Sequence, residues 1–124
     1  MNFLEKIKSH LPTLKHHWTC YLTWLLPHTW AHEGSHWLAL YFLTGHKLTF
    51  KPQGYRWIWD FPEDVSLTHR RVVNFAGFAG EFLFSGVLFA MSWGWGMAYL
   101  LGACAHFLAY PHYAGDCSDF EVVE

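Results

Sequence analysis

From Trp18 to Leu43 the chain reads WTCYLTWLLPHTWAHEGSHWLALYFL, an apolar run that carries His28, His32, Glu33 and His36. As a helix this run is long enough to cross a hydrocarbon core of roughly 30 Å. Ionisable groups at membrane depth are costly and ordinarily face a cavity or a metal. The stretch therefore reads as a functional helix over 18–44. Pro27 is placed to kink it and Gly45 to end it.

Moving outward, Val72 to Tyr110 is a second apolar tract, broken by Asn74, Glu81, His106 and small polar residues. As one helix it would be about 58 Å long at 1.5 Å per residue, nearly twice the core thickness. Two helices are expected instead, 72–92 and 94–110, with a turn around Trp93-Gly94-Trp95-Gly96. Ala76, Gly77, Ala79, Gly80, Ser85 and Gly86 would let the first of them approach a neighbour closely. Between the apolar tracts, residues 46–71 change character. Leu48 and Phe50 alternate with polar residues, Pro52-Gln53-Gly54 supplies a turn, and Tyr55, Trp57, Trp59 and Phe61 follow at period two, which is a hairpin pattern.

The first seventeen residues are charged and do not read as a cleavable signal. Phe3, Leu4, Ile7, Leu11 and Leu14 lie near helical spacing with lysines between them, as in a short helix on a membrane surface, interrupted near Pro12. Residues 111–124 form a short acidic tail with Asp116, Asp119, Glu121 and Glu124. The expected fold is a single domain over 1–124: an α-helical integral membrane protein with about three transmembrane helices and a β-hairpin loop between helices one and two. The positive-inside rule favours a cytoplasmic hairpin loop, through Lys47, Lys51, Arg56, Arg70 and Arg71. The aromatic stripe of Trp57 and Trp59 reads as an interfacial surface or as a strand edge that captures an unfolded segment.

Composition narrows the function. The chain has 124 residues, 52% hydrophobic and 20% aromatic, and a net charge of −2, with no dense basic cluster to support nucleic-acid binding. Cys20, Cys104 and Cys117 are too few and too scattered for a disulfide framework.

His32-Glu33-Gly34-Ser35-His36 is a His-Glu-x-x-His sequence. Four residues rotate an α-helix by about 400°, so His32 and His36 share a face and can bind one metal. Neutral imidazoles suit zinc, one ion per chain. Glu33 points to another side of the helix, within reach of a water at the remaining metal position, and can act as its general base. The third ligand must come from elsewhere, with Asp116, Asp119, His112, Cys117, His106 and Glu81 as candidates. His28, one turn before His32, is a candidate ligand, a partner that orients one, or a polar residue beside Pro27. Glu81 and His106 read as groups near the metal rather than bound to it.

These segments together resemble the site-2-protease-like family of intramembrane zinc metalloproteases, in a compact branch. The resemblance rests on His32–His36 with Trp37-Leu38-Ala39, on Asn74-Phe75-Ala76-Gly77-Phe78-Ala79-Gly80, and on Tyr110-Pro111 leading to Gly115-Asp116-Cys117-Ser118-Asp119-Phe120. It implies an aspartate ligand after the third helix, with Asp119 preferred and Asp116 the alternative. The chain lacks the family's common Asn/Asp-Gly form of the aspartate motif and the usual proline of its small-residue helix. The implied activity is zinc-dependent peptide-bond hydrolysis within or beside the lipid bilayer, on a membrane protein or peptide, with Glu33 catalytic. The rivals are a non-catalytic metal-binding membrane protein for transport or sensing, and a pseudoprotease that binds membrane clients.

Overall fold

The computed structural model describes residues 2–53 and 56–113. Five α-helices run along the chain: α1 Phe3–His16, α2 Trp18–Leu22, α3 Pro27–Thr44, α4 Leu67–Met91 and α5 Trp93–Tyr113. A 3-10 turn, Thr23–Leu25, joins α2 to α3, and two short strands, β1 Lys51–Gln53 and β2 Arg56–Ile58, lie between α3 and α4. The chain is thus mostly helical with one small antiparallel sheet.

The expected helix over 18–44 is broken rather than kinked. Proline disfavours helical backbone in the residue before it, and Leu26 is extended at φ −91°, ψ 128°. Pro27 then occupies the first turn of α3, where its missing N–H costs no intrahelical bond. At the other end Gly45 takes the left-handed conformation, φ 77°, and its N–H closes onto the Tyr41 carbonyl at 2.8 Å, as the sequence suggested. In α1 the helix runs unbroken through Pro12, started by a capping box between Asn2 and Glu5. None of its residues is buried, and Phe3, Leu4, Ile7, Leu11 and Leu14 are exposed.

The hairpin forms one step away from its expected turn. Pro52 is not in the turn but pairs with Trp57, flanked by the pairs Lys51–Ile58 and Gln53–Arg56. A proline is tolerated there because a two-stranded sheet consists of edges, which need no N–H at every position. Gly54 and Tyr55, expected in the turn and in the strand after it, lie outside the described residues. Trp57 does not face outward: it sits edge-on to Tyr21 and Trp24, and its indole N–H donates to the Cys20 carbonyl and Thr23 hydroxyl, each at 3.1 Å. Trp59 packs on Phe61 and on the ring of His36. Both indoles hold the hairpin down onto the helices, so the interfacial-stripe reading is corrected.

Ser66 caps α4, its hydroxyl accepting from the His69 N–H. The break after α4 falls at Ser92, which is extended, and Trp93–Gly96 opens α5 instead of forming the turn. Ser92 supplies the helix-starting hydroxyl at a position that favours it. Gly96 lets the two helices close: a Cβ there would lie 2.7 Å from the Phe89 Cα.

α3 and α4 pack antiparallel, as do α4 and α5. The inward stripe of α4 comprises Val73, Asn74, Gly77, Phe78, Glu81 and Ser85, at helical spacing. A core cluster of Leu40, Leu48, Val65 and Val73 ties the end of α3 to the loop and to α4. Outside it, His46 bonds Asp64 at 3.0 Å and holds that exposed carboxyl below its usual range. Phe42, Phe75, Leu83, Met91, Leu101 and Leu108 are largely exposed. Among the described residues, α4 is the helix long and apolar enough to cross a membrane.

Candidate metal centre

On α3, His28, His32, His36 and Leu40 succeed one another a turn apart. His32 is 4% exposed and His36 1%, and their rings meet edge to face with centroids 4.7 Å apart. Each imidazole is held at Nδ1 by an acceptor from α4. His32 Nδ1 donates to Glu81 Oε2 at 2.9 Å, and His36 Nδ1 donates to the Val73 carbonyl at 2.6 Å. Because a carbonyl has no proton to offer, and a carboxylate has none either, these contacts fix both rings as Nδ1–H tautomers. In a neutral imidazole held in this way the other ring nitrogen carries the lone pair.

Both lone-pair nitrogens turn to one place on α4. A Cβ at Gly77 would lie 2.5 Å from His36 Nε2 and 2.7 Å from His32 Nε2. No residue but glycine leaves that point open. At Gly80 an added Cβ would collide with the Ser35 side chain, so the same small-residue face that brings the helices together also clears the space beside the imidazoles. Metal-ligating histidines ordinarily donate their second nitrogen to a carboxylate or backbone carbonyl, which fixes the tautomer and raises ligand basicity. The donor set here matches that arrangement.

Glu81 is fully buried in mid-helix and is shared. It accepts from His32 on α3 and from His106 Nδ1 on α5, the latter at 2.9–3.0 Å. One carboxylate thus joins three helices, and its two imidazole partners are what allow an acidic residue to be buried there. His32, Glu81 and His106 also offer ligand atoms all within 4.8 Å of one another and could hold a metal ion. Their 2.9–3.0 Å separations are hydrogen-bond distances, so as they stand these groups orient one another.

Glu33 is half-buried, with its Oε2 screened from solvent. The surroundings are aromatic: Phe78 lies edge-on to His32 with centroids 4.6 Å apart, and Trp59 lies 5.0 Å from His36. A wall of this kind excludes bulk water and strengthens the polar contacts inside.

His28 does not join the group. Its ring stacks on Tyr99 at 3.9 Å, its Nε2 donates to the Tyr99 carbonyl at 2.9 Å, and it occupies the space left by Gly102. It fastens α3 to α5, and its reading as a ligand or ligand partner is corrected. Asp116, Asp119 and Cys117 lie outside the described residues. The Val73 carbonyl escaped sequence reasoning because every residue has one. The role of Gly77 was half visible, as a small residue for helix contact, and that of Trp59 was not visible at all.

The chain matches no family model, no curated protein and no solved structure.

Proposed function

We propose that the chain is a membrane-embedded zinc metalloendopeptidase of the His-Glu-x-x-His type, acting on a peptide bond of a membrane protein or peptide. The observation that carries this reading is the pair of imidazoles on α3. Their Nδ1 atoms are anchored by Glu81 and the Val73 carbonyl, and their Nε2 atoms converge beside Gly77. His32 and His36 would hold one zinc ion through those nitrogens, with Asp119, or alternatively Asp116, as third ligand. Bound zinc supplies Lewis acidity toward a carbonyl and a water. Glu33, next to His32 on the helix, takes the proton of the attacking water and passes it to the leaving nitrogen. Glu81 and the Val73 carbonyl keep the imidazoles in the ligating tautomer throughout, and Phe78 and Trp59 limit the access of bulk water. In this reading α3 and α5 accompany α4 across the bilayer, which accounts for the exposed Phe42, Leu101 and Leu108.

A second reading has its own observation. The His32, Glu81 and His106 group would serve a protein that holds a metal without using it in catalysis, and such a protein has no need of Glu33.

The test is cleavage itself. The purified chain in lipid nanodiscs is mixed with a panel of tagged single-span proteins, stripped of metal with a chelator, and then given zinc again. Cleavage should stop and return. Cleavage that persists without metal overturns the proposal, and a zinc-loaded chain that cuts none of the panel moves the conclusion to the metal-holding reading.

The third ligand is separable by mutation. Asp119→Ala should weaken zinc affinity by orders of magnitude and Asp116→Ala by less, in competition with a chelating dye. The reverse ranking would move the third ligand to Asp116.

A further inference from the structure

Asn74 sits on the inward stripe of α4, between two residues that build the metal centre. Val73 before it supplies the carbonyl that holds His36, and Gly77, one turn later, is where both Nε2 atoms converge. Residues three apart on a helix are neighbours on one face, so Asn74 shares with Gly77 the inward face of α4. Asn74 is 2% exposed, and its Nδ2 is fully buried with no hydrogen-bond partner among the described residues. Buried amides in folded proteins are ordinarily paired. In the same stripe the other polar side chains are satisfied: Glu81 by two histidines, and Ser85 by the Glu81 carbonyl. An apolar residue would fill the position of Asn74 at no polar cost, yet the sequence keeps a donor there.

We propose that the Asn74 amide is the donor that receives the backbone carbonyl oxygen of a bound peptide at this centre. The inference rests on the hydrolase reading and adds a catalytic residue to it. The amide transfers no proton and makes no covalent bond. It donates Nδ2–H to an oxygen whose negative charge grows as water adds to the carbonyl carbon, and a preplaced donor strengthens as that charge develops. Among the described residues the amide has no partner to give up, so the hydrogen bond to the peptide displaces none of theirs.

The experiment uses the full zinc-loaded chain in detergent and acetohydroxamate, a small chelator that carries a carbonyl oxygen. Asn74→Leu and Asn74→Asp are compared with the unsubstituted chain for zinc content, thermal midpoint and acetohydroxamate Kd. Both variants should keep one zinc per chain. The Kd should rise about tenfold in each, the loss expected for one hydrogen bond to a ligand. Asn74→Leu should not lower the thermal midpoint, since it removes a polar group that nothing among the described residues pairs, and this readout separates ligand binding from a packing role. A Kd within twofold of the unsubstituted value, or a midpoint that falls in Asn74→Leu together with its zinc, overturns the role of Asn74. If the unsubstituted zinc-loaded chain binds no acetohydroxamate, the hydrolase reading itself fails, and this inference with it.

Discussion

A Glu33→Gln chain should keep its zinc, its fold and its hold on a membrane client while cleavage falls by about 10²–10⁴-fold, the usual contribution of a positioned general base. The expectation follows from helix geometry. His32 and His36 define the metal-facing stripe, and Glu33 stands about 100° around the helix from His32. Removing its charge leaves the two imidazoles and their Nδ1 anchors untouched. Glutamine keeps the size and the shape of the side chain and lacks the basic oxygen. The measurement pairs elemental zinc analysis with the turnover of a tagged single-span client. Equal turnover in both proteins, with zinc present in both, would remove Glu33 from the mechanism and leave a metal-holding protein.

Gly77→Ala is expected to weaken zinc binding by crowding both imidazoles at once. The added methyl would lie 2.5 Å from His36 Nε2 and 2.7 Å from His32 Nε2 and Cε1. The rings cannot simply swing aside, because each is tethered at its other nitrogen by Glu81 or the Val73 carbonyl. Either the tethers break or α3 and α4 separate, and overpacking of this kind typically costs about 1–3 kcal/mol. Zinc affinity should drop by about 10–10²-fold, since ligand orientation is what partners of this type protect. Gly34→Ala and Gly86→Ala are the controls: an added methyl at either meets nothing within 4 Å. They should bind zinc normally and gain up to about 1 kcal/mol of helix propensity. A Gly77→Ala chain with undiminished zinc affinity would falsify the convergence of the two nitrogens on α4.

The elements legible in the sequence were those encoded by local pattern. The His32–His36 spacing located one face of one helix, Gly45 marked its end, and the apolar tract from Val72 was too long to be a single helix. Boundaries decided by competition were less legible. Leu26 was read as helix because apolar content outweighed the restriction that Pro27 places on it, and Trp93–Gly96 was read as a turn because its glycines outweighed the capping hydroxyl of Ser92. Trp57 and Trp59 were read as surface because period two says which residues share a face but not what covers that face. Glu81 and His106 were read as groups near a metal held by His32 and His36, yet their mutual contact spans two helices and no spacing rule encodes it. His28 shares its helix face with His32 and still belongs to another contact, since a turn of helix is enough to pass from one neighbouring helix to the next.

The shared carboxylate of Glu81 has a consequence for the order in which the protein is made. The His-Glu-x-x-His segment leaves the ribosome well before α4, and α4 before the His106 that completes the contact on α5. Until α4 docks, neither imidazole has the acceptor that fixes its tautomer, and a site that does not exist before folding contributes its metal affinity only as folding completes. A half-made chain therefore carries the motif without the contacts that hold its two imidazoles. The order of assembly is written into the topology, because the residues that hold the histidines of α3 are the later ones to arrive.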